Sequence, residues 1–204
     1  MTTNLEFQEF PKMARFSRDI IITEKIDGTN AQILITEDGD IMAGSRTQWI
    51  TPEKDNAGFA KWVEGNKTEL LKLGAGRHFG EWWGSGIQRG YGLSKGEKRL
   101  SLFNVGRWAL YGIEPKRILT ADPKIEKYQD VLPEGISLVP ELYRGEFDTQ
   151  KINEVLEDLK TNGSYASPGF MRPEGIVIFH IAGNVGFKKT IEKDEVLKLL
   201  VKVA

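Results

Sequence analysis

The chain has 204 residues, 40% hydrophobic and 28% charged, which is ample for one large domain with a sizeable core. Its 28 Lys and Arg balance 29 Asp and Glu to a formal charge of −1, which excludes a globally basic nucleic-acid binder and leaves a polyanion only a local basic surface. Absence of cysteine excludes disulfides and Cys-ligated zinc. The polar start MTTNLEFQEF and the lack of any run of 18 apolar residues predict a soluble, cytoplasmic protein with neither signal peptide nor membrane span.

Taken in chain order, residues 19–26 (DIIITEKI), 31–36 (AQILIT) and 41–43 are rich in β-formers, and Asp27-Gly28 and Asp38-Gly39 supply turn signals between them. This predicts an antiparallel meander. Residues 57–72 carry a helical pattern despite Gly65, and Gly74 suits its end. Residues 74–96 then hold eight of the 22 glycines, interleaved with Arg77, Trp82, Trp83, Arg89 and Tyr91. Such a stretch is either a loop between core strands or a place where backbone approaches a ligand closely. HFGEWWG, LSLFNVGRWALYGI, ISLVPELYRG and GIVIFHIAG with NVGFKKT read as further strands. Residues 151–160 form an amphipathic helix with Asn162-Gly163 as its C-cap, and residues 193–203 a last helix that covers the sheet. Strands outnumber helices and join by short turns, so the fold class is α+β, antiparallel sheets flanked by helices, in one domain over residues 1–204.

The stretch TEKIDGTN, residues 23–30, puts Lys25 at a strand end beside a glycine turn. By itself that is a hairpin tip. As a nucleophile Lys25 would need its neutral amine, which a lysine with a reference pKa of about 10.4 holds in only about one molecule in a thousand near pH 7.4. Shifting it to neutrality takes roughly 4 kcal/mol, from burial or a nearby cation. The apolar IIIT and ILIT stretches and Lys188-Lys189 are the candidates to supply these. Two glutamates lie in motif-like settings, Glu81 in FGEWWG and Glu174 in RPEGIVIF; Glu174, followed by glycine at the start of an apolar strand, is badly placed for core packing and well placed for a hydroxyl or a metal.

What lifts Lys25 is the order of the set: KIDGTN, SRT about 20 residues on, GEWWGSGIQRG, LFNV, PEGIVI and FKK. In that order the chain resembles the covalent nucleotidyltransferase superfamily of ATP-dependent RNA and DNA ligases and mRNA capping enzymes, and most of all the nick-sealing RNA ligases. The resemblance spans residues 25 to 189 and implies the nucleotidyltransferase (ATP-grasp-like) ligase fold. It makes Lys25 the nucleophile that takes AMP from ATP. Glu24, Asp27 and Asn30 would support the nucleotide site, with Asn30 near the leaving pyrophosphate or its metal. Arg46 would contact phosphates, Glu81 the ribose hydroxyl, and Phe103 would stack on adenine. Glu174 would bind Mg²⁺ or Mn²⁺, and Lys188, with Lys189, would neutralise the α-phosphate. The implied partners are ATP and the ends or nicks of RNA, or of DNA.

Three departures qualify the resemblance. The last motif of the family alternates two lysines, whereas here they are adjacent and Thr190 stands at the second place; strand alternation therefore favours Lys188. Asn104 replaces a common aspartate, leaving its role open. Fifteen residues follow Lys189, too few for the OB-fold domain that follows this motif in capping enzymes and DNA ligases, so the chain reads as a bare catalytic domain whose grip on nucleic acid comes from its own surface or a protein partner. A capping-type guanylyltransferase, a DNA ligase and a non-catalytic nucleotide- or RNA-binding module are the alternatives. SKGEKR (Lys95, Lys98, Arg99) is either a nucleic-acid contact or a solvated turn, and neither His78 nor His180 has a motif around it.

Overall fold

The computed structural model describes residue 7 and residues 9–103, 132–133 and 135–192. The expected helix over 193–203, Asn104 and the strand beyond Phe103 lie outside these. Two sheets organise the described residues. A four-stranded antiparallel sheet runs in the order β10 (Val185–Thr190), β9 (Gly175–His180), β1 (Asp19–Lys25), β8 (Glu141–Glu146). A six-stranded sheet runs β4 (Trp49–Ile50), β3 (Ile41–Gly44), β2 (Thr29–Ile35), β5 (Gly76–Gly84), β6 (Lys98–Leu102), β7 (Ile136–Leu138), antiparallel except for the parallel pair β6–β7. The α+β class is as the strand and helix pattern indicates. Among the described residues no helix is long and apolar enough to cross a membrane.

Alternation along the strands decides which side chains face what. In β1, Ile20 and Ile22 pack with Ile176 and Ile178 of β9 against α3 (Thr149–Asn162), through Val155, Leu156 and Leu159. The caps of α3 are as its sequence implies: Asp148 accepts from the Gln150 N–H at 2.7 Å, and Gly163, at φ 81°, donates to the Leu159 carbonyl. In the larger sheet, Ala31, Ile33, Trp82, Leu100 and Leu102 pack against α1 (Phe59–Gly65) through Phe59, Ala60 and Val63. Asp55 caps the start of α1, accepting from the N–H groups of Ala60 and Lys61. The helix expected over 57–72 breaks at Asn66 (φ −117°, ψ 17°), whose side-chain amide donates to the Trp62 carbonyl; α2 (Lys67–Leu70) resumes beyond it. The inner faces of the two sheets meet through Ile21, Ile26, Trp83, Tyr91 and Val139, a third cluster that floors the cleft between them.

One expectation is overturned. Asp38-Gly39 does close the β2–β3 hairpin, with Gly39 at φ 86°, but Asp27-Gly28 closes none. β1 pairs with β8 and β9, and β2 with β3 and β5. The KIDG turn is a crossover from one sheet to the other, so no meander runs through it.

Candidate active site

Crossing between sheets puts Lys25 on one wall of the cleft and Asn30 on the other. Lys25, the last residue of β1, faces the cleft with Ile21 and Thr23, and its Nζ donates to Oε2 of Glu174, just before β9. Both side chains keep partial access to solvent, at 24% and 18%. On the opposite wall Glu81 and Asn30 are cross-strand partners, with the Asn30 amide donating to Oε2 at 3.3 Å. The other Glu81 oxygen accepts the Gly28 N–H at 3.0 Å, tying the turn to the larger sheet. Asp27 is held by Arg89 (Nε to Oδ2, 3.0 Å), and its own N–H donates to the Tyr91 phenol oxygen at 2.9 Å. Residues 25–30 are therefore braced from both sides, as a site that must position rather than adapt requires.

Gly28 is required by space. A Cβ there would lie 2.5 Å from the Trp82 carbonyl oxygen, 2.8 Å from the Trp83 Cβ and 2.9 Å from the Glu81 Cγ. None of these belongs to a flexible side-chain end. Gly28→Ala should destabilise the fold by about 1–3 kcal/mol and push the turn off Glu81. Chemical denaturation reads the first effect, and nucleotide binding at a temperature where the variant is folded reads the second. An alanine variant with unchanged stability and binding would contradict the packing described.

Burial pushes the Glu81 carboxyl up to about 7, against the attraction of Lys25 and the Gly28 N–H, while Glu174 and Asp27 add to the rise. Between 4.5 and about 7 the unfolded chain ionises this group and the folded chain does not. Stability conferred at low pH is therefore lost as pH rises through that window, by on the order of 3 kcal/mol in full. Glu81→Gln, neutral throughout, should show a flatter fall than wild type in urea midpoints measured from pH 5 to 7.5. Equal slopes would show that Glu81 does not titrate in this range.

The remaining site residues divide by strand face. Lys188 pairs with Val177, which pairs with Thr23, so it projects from the same face as Lys25, two strands across and two residues along, about 12 Å away. Lys189 is corrected: it shares the opposite face with Ile176, and its Nζ donates to Asn153 of α3 at 3.0 Å. Glu24 is corrected for the same reason. Its buried carboxylate turns away from the cleft to accept from Ser164 Oγ (2.6 Å) and the N–H groups of Tyr165 and Ala166 (both 2.9 Å). Burial pushes its carboxyl above the ordinary range, those three hydrogen bonds opposing it. Arg46 stands exposed in the bend between β3 and β4, and Phe103 is partly exposed at the end of β6, its N–H donating to the Phe79 carbonyl.

The tryptophans beside Glu81 belong to the core. Trp82 packs in the larger sheet's core and donates to the Ala57 carbonyl, and Trp83 lies in the cleft floor and donates to Ser101. In SKGEKR, Lys98 donates to the Ala57 carbonyl and Arg99 pairs with Glu97 over the Trp83 ring. His180 bridges the Phe16 carbonyl and the Gly183 N–H. The residues that motif reasoning did not assign are Arg89 and Tyr91; their signal was the glycine-rich RGYG, whose φ values at Gly90 and Gly92 (69° and 68°) fold the loop back onto the turn.

A divalent ion can be tested against these donors. Among the described residues no three His, Cys, Asp or Glu gather to make an all-protein cage. Mg²⁺ and similar ions commonly take one or two carboxylates together with substrate phosphates and water, and Glu174 fits that mode.

Two facing sheets with a lysine at the crossover and a glutamate on each wall form a nucleotidyltransferase-type fold, and the comparisons agree. An arginine-to-alanine variant of Naegleria gruberi RNA ligase with ATP and Mn matches at a TM-score of 0.60 and 18% identity, over 87% of this chain and 51% of that one. A lysine-to-alanine variant of the same ligase with ATP and Mn matches at 0.56 and 18%, over 84% and 49%. A lysine-to-methionine variant with AMP and Mn matches at 0.55 and 19%, over 86% and 50%. This chain thus spans about half the length of those proteins. No curated protein matches it. The family model described as RNA ligase matches residues 18–198. The chain belongs to the RNA ligase family.

Proposed function

We propose that the chain is an ATP-dependent RNA ligase catalytic domain that joins a 5′-phosphate to a 3′-hydroxyl through AMP bound to Lys25. One observation carries this reading: the sheet crossover at Asp27-Gly28 sets the Lys25–Glu174 pair across a cleft from the Asn30–Glu81 pair, with Lys188 on the Lys25 wall. In the ion pair with Glu174, Lys25 is an ammonium without a lone pair. It becomes a nucleophile when that contact parts and its proton passes to water, to which the pair is partly open. Lys25 Nζ then attacks the α-phosphorus of ATP, the bond to the pyrophosphate oxygen breaks, and the lysine carries AMP as a phosphoramidate. The AMP passes to the 5′-phosphate of a strand, restoring the Lys25 amine, and the 3′-hydroxyl of the second strand displaces it.

The chain's residues supply positioning and charge, which phosphoryl transfer needs above all. Lys188 faces the developing charge on the α-phosphate, Glu81 accepts from a ribose hydroxyl, and Asn30 and Arg46 serve the phosphates. Phe103 offers an exposed ring to the adenine. A divalent ion held at Glu174 would screen the charge on the phosphates. Arg89 holds Asp27 and so keeps the turn in place.

The test is incubation with α-labelled ATP and Mg²⁺ or Mn²⁺, followed by denaturing electrophoresis. Label is expected on the protein from α-labelled ATP and none from γ-labelled ATP. Uptake from GTP alone would favour a capping-type guanylyltransferase. Tight ATP binding with no covalent label would make the chain a nucleotide-binding module.

A further inference from the structure

The wall of the cleft that carries Glu81 does not end at the nucleotide site. Along β5 the residues on that face are Glu81, Phe79 and Arg77, at about 7 Å per pair of residues. Gln32 of β2 stands opposite Phe79, and Gly44 of β3 opposite Gln32. Phe79 is 51% exposed and Arg77 is exposed too, whereas residues 80–84 of the same strand are buried. Trp49 of β4 pairs with Gly44 and leans over it: a Cβ on Gly44 would meet the indole at 3.1 Å and 3.2 Å. A glycine is what lets the ring lie on the sheet there. Arg77 spreads its guanidinium over this indole, 5.4 Å from the centroid, and also donates to Gln32 at 3.4 Å. The indole nevertheless stays 41% exposed.

Phe79 and Arg77 lie about 7 and 14 Å from Glu81 along β5, and the Trp49 indole reaches in from β4 beneath the Arg77 guanidinium; an indole, a phenyl ring and a planar cation on one sheet face are the chemistry that stacks nucleic-acid bases. Inside a duplex the paired bases keep their faces against one another, so a continuously paired strand offers these rings no interior base face, whereas an unpaired end offers several. Resting on the ligase reading above, we infer that Phe79, Arg77 and Trp49 form a platform for unpaired bases of the strand being joined. The substrate class is thereby a single-stranded RNA end, and a fully paired nick lacks the bases the platform takes.

Trp49→Ala, Arg77→Ala and Trp49→Phe test this by direct binding of a labelled single-stranded RNA bearing a 5′-phosphate, beside a fully paired nicked RNA duplex. Trp49→Ala and Arg77→Ala should each lose on the order of tenfold in affinity for the single strand, with little change for the duplex. Trp49→Phe should recover most of the loss, and uptake of label from α-labelled ATP should stay within about twofold of wild type, since Arg77 stands four residues along β5 from Glu81 and Trp49 two strands from Asn30. Unchanged single-strand affinity in both alanine variants would overturn the platform. Equal losses for single strand and duplex would overturn its restriction to unpaired bases, and equal losses of label and RNA binding would make these residues supports of the pocket. A wild type that takes no label would overturn the ligase reading alone, because the Trp49 dependence of RNA affinity is read without it.

Discussion

Lys25→Ala should leave no detectable label on the protein from α-labelled ATP, a loss of at least about 10⁴-fold. The size of the effect follows from the bond at stake. An alanine has no lone pair to attack phosphorus, and among the described residues the cleft offers no second amine in the same place: Lys188 lies across β9 on the edge strand, about 12 Å away. Lys25→Arg should fail as completely, since a guanidinium stays protonated and is a poor nucleophile at any pH the fold withstands. Neither change should unfold the protein. The ion pair with Glu174 is partly open to solvent, and such pairs contribute about 1 kcal/mol or less. A strand supplied with AMP already on its 5′-phosphate bypasses the Lys25 step, so Lys25→Ala should still join it at a measurable rate. Label on the alanine variant equal to wild type would remove Lys25 from the mechanism. Loss of both labelling and joining of the activated strand would assign Lys25 a role in holding the nucleotide beyond its nucleophilicity.

How much of this was readable beforehand depends on the range of the interaction. Local chemistry was legible. Asp38-Gly39 closes a hairpin and Gly163 ends α3 because a turn or cap depends on a few neighbouring residues. Strand alternation separated Lys188 from Lys189 without any coordinates. Asp27-Gly28 has the same local signature as Asp38-Gly39 and a different outcome. What differs is which distant strands claim its flanks: β8 and β9 take β1, while β5 takes β2. The site contacts are non-local in the same way. Lys25 meets Glu174 across 149 positions, Glu24 meets Ser164 across 140, and Asp27 meets Arg89 across 62. The sequence order of motifs names the first of these pairs through resemblance to a family. Glu24 next to Lys25 looked like part of the same site, yet one step along a strand turns a side chain to the other face, where the loop after α3 takes it. Arg89 and Tyr91 escaped assignment because their partners are turn backbone and a carboxylate in another part of the chain, and a glycine-rich loop gives no sign of where it folds.

The lysine doublet gives the most discriminating result after Lys25. Lys188→Ala should lower the rate of label uptake by about 10²-fold, the usual cost of removing one charged donor from a developing oxyanion. Lys189→Ala should leave it unchanged. The two residues are adjacent and carry the same charge, so any mechanism resting on general positive potential would predict equal losses. Register predicts the opposite. Lys188 continues the row Thr23–Val177 on the cleft face, and Lys189 continues Glu24–Ile176 on the face covered by α3. What Lys189 loses as alanine is one exposed hydrogen bond to Asn153, at most a few tenths of a kcal/mol, readable as a small shift in denaturation midpoint. The same register puts Thr190 on the cleft face, in line with Gly175 and Lys25, the place where the family's alternating pair has its second lysine. Among the described residues β10 therefore offers the cleft one lysine, and the whole effect of the doublet should fall on Lys188. Losses shared between the two variants would mean that β10 is displaced by a residue when nucleotide is bound, since a slip of one position exchanges their faces.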